Sequence, residues 1–169
     1  MQPRAEQFTE KAWEALLQAE EIARKSKHQS IDSEHLLISL LENNELTKRI
    51  LNKTVFSIDR AKSLLKEYIG KQPKMREEQE KLFISHGLIN IINQATDNKE
   101  SFGDSLLSVE HLLISLSKDN RIGARLFNNE KVSESNLLKA INEVRGVQKV
   151  DNRNPETKYE ALQKYGRDL

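Results

Sequence analysis

Seven consecutive residues, Glu34-His35-Leu36-Leu37-Ile38-Ser39-Leu40, recur letter for letter as Glu110 to Leu116, 76 positions further along a chain of 169. The same spacing holds without a gap on either side. It pairs Ala19 with Ala95, Asn44 with Asn120, Arg49 with Arg125, Asn52 with Asn128, Ser57 with Ser133, Glu67 with Glu143 and Gly70 with Gly146. Such a repeat constrains the fold before any local propensity is weighed, because both copies must adopt one supersecondary unit and bury their apolar faces together. The boundaries read as repeat 1 over about 8–70, a connector over 71–83, repeat 2 over about 84–146 and a tail over 148–169.

Within each copy apolar residues return every three or four positions, the period of a helix, and alternation of the kind a strand needs is missing. Thr9 is placed to cap a first helix with Ala12, Leu16, Ala19 and Ala23 inward; its counterpart after Ser85 carries Leu88, Ile91, Ile92 and Ala95. The second helix starts near Asp32 or Ser33, and near Ser108 in copy two, and its Leu-Leu-Ile-Ser-Leu run is too apolar for a surface. A short third helix contains Ile50 and Leu51, matched by Leu126 and Phe127. A fourth runs from the Ser57 cap to Gly70, matched by Ser133 to Gly146, with each glycine placed as a stop. The expected class is all-α: a pseudo-two-fold tandem of two four-helix units. The connector, with Pro73 and many charges, reads as solvated; the tail reads as a loop around Pro155 and a charged linker helix, Glu156 to Asp168, with no core of its own.

Composition narrows the chemistry. Lys and Arg total 27 against 26 for Asp and Glu, so no basic surface points to nucleic acid. Cysteine is absent, which removes disulfides and thiolate ligands, and no apolar run is long enough to span a bilayer, so a cytoplasmic or organelle-matrix location is expected. The one Gly-Lys pair, Gly70-Lys71, lacks the rest of a phosphate-binding loop; the expectation is no enzyme, no catalytic residue and no cofactor in this chain.

The repeated Glu-His pairs admit two readings. In one, His35 and His111 hydrogen-bond within their own repeats while Glu34 and Glu110 complement the positive end of a helix dipole. In the other, the two glutamates stand at exposed helix starts and accept hydrogen bonds from a bound peptide or cation. Adjacent Glu-His cannot put both side chains on one metal, so no metal is expected. Trp13 and Leu17 are expected in the core unless they lie outside the inner stripe; with Ile89 they put apolar residues on more than one face of the first helices, and a groove between those helices is expected to suit extended peptides.

Two copies of a capped Glu-His-Leu-Leu segment, opened by Phe8-Thr9-Glu10-Lys11-Ala12, resemble the N-terminal Clp repeat domain of the Clp ring ATPases. The tail, Asn154-Pro155-Glu156-Thr157-Lys158-Tyr159-Glu160-Ala161-Leu162-Gln163-Lys164-Tyr165-Gly166-Arg167-Asp168-Leu169, is similar to the linker entering the first ATPase domain of the ClpB-type disaggregases. The resemblance implies the amino-terminal part of a longer chaperone, a monomeric domain tethered above a homohexameric ring whose own domains would hold ATP and Mg. It implies binding of exposed hydrophobic segments of unfolded or aggregated proteins, with Thr9, Asp104 and Glu110 handling the client and Ile91, Ile92 and His111 at its groove. It also carries an alternative, an adaptor-docking or phosphoarginine-reading domain of a protease-coupled ring, with Glu34 and Glu110 in the tag pockets.

Overall fold

A computed structural model describes residues 3–146 and 148–156. After a 3₁₀ turn at Ala5–Gln7, copy one consists of α1 (Glu10–Lys25), β1 (Ser30–Ile31), α2 (Ser33–Asn43), α3 (Glu45–Leu51) and α4 (Ile58–Lys71). Copy two consists of β2 (Phe83–Ile84), α5 (His86–Ser101), α6 (Val109–Leu116), α7 (Gly123–Asn129) and α8 (Glu134–Arg145). The chain is mostly helical, as its period requires, and α1 and α5 begin and end at positions 76 apart.

Local chemistry repeats at the same spacing. Thr9 Oγ1 accepts from the Ala12 N–H and Ser85 Oγ from the Leu88 N–H, so both first helices are capped alike. Ser57 and Ser133 cap α4 and α8 in the same way. Lys27 and Gly103, which share the turn after the first helix of each copy, have φ of 60° and 72°. A lysine tolerates there what glycine adopts freely, at the cost of some backbone strain.

The second helices form the centre. Every residue from Ser33 to Leu41 in α2 is buried, and every residue from Val109 to Leu116 in α6. Each fully buried leucine contributes on the order of 1.5–3 kcal/mol. Helix α1 packs on α2 and α5 on α6, while α3 lies against α8. Apolar residues from both copies join one core. A hydroxyl pins each pair: Ser39 Oγ donates to the Ala15 carbonyl at 2.9 Å and Ser115 Oγ to the Ile91 carbonyl at 2.8 Å.

The copies are stitched reciprocally. Ile84, just before α5, pairs in parallel with Ile31, just before α2; Phe8, just before α1, makes the matching bridge to Leu107, just before α6. Each copy thus lends the segment before its first helix to the other. These two-residue strands have no period to betray them, which is why the sequence pattern reads as helix alone. Glu130, at the end of α7, accepts from Arg60 Nε at 2.9 Å and from the Ser57 N–H at 2.9 Å, and Phe56 meets Phe127 at 5.0 Å between ring centroids.

Three expectations need correction. Helix α4 runs through Gly70 to Lys71, so a glycine ends the fourth helix only in copy two, where Gly146 has φ of 63°. Leu17 is 53% exposed and belongs to no core, and Trp13 is partly buried against Phe8. The tail joins the common core at one residue: Val150 is fully buried, while 151–154 are exposed. The linker helix expected at Glu156 to Asp168 lies outside the described residues.

Because the two hydroxyl pins share no partner, Ser39→Ala and Ser115→Ala are expected to cost about 0.5–1.5 kcal/mol each. Urea denaturation of the double variant should return the sum within a few tenths of a kcal/mol; a cost confined to one copy would mean that the two helix pairs are not packed equivalently.

Two buried acid clusters and an apolar groove

The repeated Glu-His pair sits at the first turns of α2 and α6, where the free N–H groups and the helix dipole favour an acid. In both copies the histidine closes the cap: His35 Nδ1 accepts from the Asp32 N–H and His111 Nδ1 from the Ser108 N–H, each at 2.9 Å. That assignment leaves the proton on Nε2, which faces positions that the repeat spacing aligns with each other: His28 for His35 at 2.8 Å, and Asp104 for His111 at 2.7 Å. Both histidines bond within their own repeats.

In copy two the cluster is closed and saturated. Arg145, 3% exposed, grips Asp104 with two bonds of 2.8 and 2.7 Å and reaches Glu110 at 3.3 Å. Its Nη2 also donates to the Gln148 carbonyl at 2.6 Å, and its guanidinium lies 5.0 Å from the centre of the Phe102 ring. Ser108 Oγ donates to Glu110 at 2.6 Å. Burial alone would raise the Asp104 pKa, but the hydrogen bonds from His111, Arg145 and the Val150 N–H outweigh it and hold the carboxylate well below its ordinary range.

In copy one the cluster opens at one edge. Glu34, 1% exposed, accepts from Arg121 Nε at 2.8 Å and Nη2 at 3.0 Å, a two-point pairing that crosses between the copies. Arg121 is 39% exposed, donates also to Gln72 at 3.1 Å and stands 5.7 Å from the centre of the Tyr68 ring. Its bonds to Glu34 raise its pKa above the ordinary arginine value. Burial lowers both His28 and His35, and for His35 the neighbouring His28 adds to the effect, bringing it to about 4.

Glu34 and Glu110 are therefore buried ion-pair partners, not the exposed acceptors that one sequence reading expected. Each guanidinium offsets the desolvation of a carboxylate at that depth. His111 is likewise fully buried and lines no groove. Asp104, Glu110 and His111 come together around Arg145. Thr9 is buried at the α1 cap, its N–H donating to the Leu107 carbonyl. Ile91 is core, and its carbonyl is held by Ser115.

Ile92 does face a groove, but not one between α1 and α5. An open cleft of about 480 Å³ runs along α5; Ile89, Ile92, Leu106 and Leu107 give it apolar surface, and Glu6, Asn93, Asp97 and Lys99 are among its polar lining. Arg121, Arg145 and His28 were not singled out in the sequence. His28 was findable, since the repeat spacing aligns it with Asp104; the arginines were not, since position 76 before Arg121 holds Glu45 and that before Arg145 holds Ile69. No group of three or more metal-ligating side chains occurs among the described residues, and no described helix is long and apolar enough to cross a membrane.

Fold and clusters together define a helical tandem-repeat domain whose repeated acids are buried and paired. Residues 7–131 match the Clp repeat (R) N-terminal domain family, and the chain belongs to that family. Along its whole length it is 47% identical to the chaperone protein ClpB of a Prochlorococcus marinus strain, of which it spans only 20%. In structure it is similar to the Hsp104 N-terminal domain from Candida albicans, with a TM-score of 0.78 at 20% identity over 88% of this chain and 98% of that one. It is also similar to a ClpV N-domain in complex with a VipB peptide, with a TM-score of 0.64 at 19% identity over 81% and 86% of the two chains.

Two outcomes follow from the clusters. Arg145→Met leaves Asp104 and Glu110 buried without their guanidinium and should cost about 3–5 kcal/mol, whereas Arg121→Met, at an edge water can reach, should cost clearly less. Equal losses in urea unfolding would contradict the difference in enclosure. Unfolding returns His28 and His35 to near 6.5, so the unfolded chain binds more protons between about pH 6.5 and 4, and stability falls as pH drops through that window, by roughly 1–3 kcal/mol. His35→Gln keeps an acceptor for the Asp32 N–H and removes one titration; its melting temperature should depend on pH less steeply than the parent's between pH 7 and 4.5.

Proposed function

We propose that this chain is the client-recruiting cap of an ATP-dependent disaggregase. It binds exposed hydrophobic segments of unfolded or aggregated proteins and passes them to a homohexameric ring formed by ATPase domains outside this chain. ATP and Mg belong to those domains; the chain itself is a non-catalytic, monomeric module of the cytoplasm or an organelle matrix. The observation that carries this reading is the match of the whole chain to the corresponding fifth of a ClpB chaperone. The apolar part of the cleft along α5, made by Ile89, Ile92, Leu106 and Leu107, supports it: burial at roughly 25 cal/mol per Å² is non-directional and accepts many sequences. Weak holding suits a domain that must release its client.

The alternative is a tag-reading or adaptor-docking domain of a protease-coupled ring. It has less support, because Glu34 and Glu110 already contact Arg121 and Arg145. A phosphoarginine would have to displace a guanidinium from each. Calorimetry with free phosphoarginine is expected to give no heat, and two stoichiometric sites would favour the alternative.

The direct test is a titration of the isotope-labelled chain with unfolded casein. Amide shifts are expected at Ile89, Ile92 and Leu106 and around Thr9. An unchanged spectrum at saturating casein would overturn client recruitment.

A further inference from the structure

Beyond α8, residues 148–156 lie against both repeats, with bends at Asn152 and Arg153. The Val150 N–H donates to Asp104 Oδ1 at 2.8 Å, and the Val150 carbonyl accepts from the Ser105 N–H at 2.8 Å. The Val150 side chain is fully buried. Three residues on, the Arg153 carbonyl accepts from the Glu10 N–H at 2.9 Å, and Arg153 Nε donates to the Phe8 carbonyl at 3.3 Å. Most of these contacts are made to main chain. Only the pocket around Val150 and the carbonyl that faces Arg153 ask for particular side chains, which is the chemistry by which extended peptides are held.

We infer that this surface, built from Asp104, Ser105, Phe8 and Glu10, is a binding site for an extended polypeptide segment with an apolar residue followed three places later by a basic one, and that residues 148–156 are a resident occupant which a client segment displaces. The inference rests on the client-recruiting reading. The occupied surface includes Asp104 and both neighbours of Thr9, so a segment with the same main-chain bonding and the same apolar-to-basic spacing would compete for it. Copy one offers only a fragment of the same clamp. There the Met75 N–H donates to the Lys27 carbonyl at 2.7 Å, but the position matching Asp104 is His28, already engaged by His35.

The resident segment carries a built-in cost. The Glu156 carboxylate oxygens are buried without a hydrogen bond to another residue. Glu110 on α6 and Glu10 on α1 face Glu156, with Lys11 on α1 the opposing cation; burial first, then Glu110, pushes its pKa up to about 7. Docking is therefore favoured while Glu156 is protonated and weakens as pH rises through about 7. A segment held by a few main-chain bonds against such a cost can exchange with a competitor.

The test uses the whole chain. Val150→Ser empties the apolar pocket, and Arg153→Gln removes the charged reach to Phe8 while leaving the helices untouched. If the resident segment fills the site about 90% of the time, releasing it raises affinity for unfolded casein about tenfold. Both variants are expected to bind casein several-fold more tightly than the parent, and saturating casein should speed hydrogen exchange at the Val150 amide in the parent. Equal affinities with an unchanged Val150 amide would overturn the resident-occupant site and leave client recruitment standing. Failure of parent and both variants to bind casein would overturn the two together.

Discussion

A buried carboxylate is the constraint around which this domain is arranged. Glu34 and Glu110 open the central helices α2 and α6, the most apolar elements of the chain, and neither has appreciable exposure. A helix dipole offsets part of such a charge, typically less than a kcal/mol; desolvation costs several. A cation has to be delivered to each. In copy one it comes from Arg121, 87 residues away in the other copy, and in copy two from Arg145, 35 residues away in the same copy. The first pairing therefore fastens the copies together, and the second fastens α8 to α6.

Repetition and divergence are divided by role. Elements that fix backbone course are duplicated: the caps at Thr9 and Ser85, the hydroxyl pins at Ser39 and Ser115, the cap-closing imidazoles of His35 and His111, and the reciprocal bridges. The residues that neutralise the repeated acids and histidines are not. One copy answers its histidine with His28 and is sensitive to protons; the other answers with Asp104, already charge-compensated by Arg145. A duplicated scaffold has thus acquired one soft cluster and one rigid one without moving a helix.

This division also explains what the sequence disclosed. The helices, caps and core faces were legible, because periodicity and capping are local chemistry that a repeat prints twice. Burial of α2 and α6 was legible from the unbroken Leu-Leu-Ile-Ser-Leu run. The arginine partners were not, since a salt bridge spanning 87 residues leaves no local pattern and Arg121 aligns with a glutamate in the other copy. Gly70 misled because a glycine in a helical φ, ψ pair ends nothing; only a positive φ, as at Gly146, does. The groove was placed between the first helices because both carry extra apolar residues. The bridge from Phe8 to Leu107 instead sets the amino-terminal segment beside Leu107, so Pro3, Glu6 and Gln7 share the lining of a cleft along α5.

Val150 shows where the domain stops in physical rather than sequence terms. The helical period fades after Gly146, yet the core takes Val150 as fully as it takes Leu112. Asp104 is the reason: already bonded by His111 and Arg145, it still accepts the Val150 N–H, so the carboxylate that stabilises the interior also holds the departing chain. One carboxylate therefore joins the packing of the interior to the position of the segment at Val150. Whatever competes for Asp104 changes both at once.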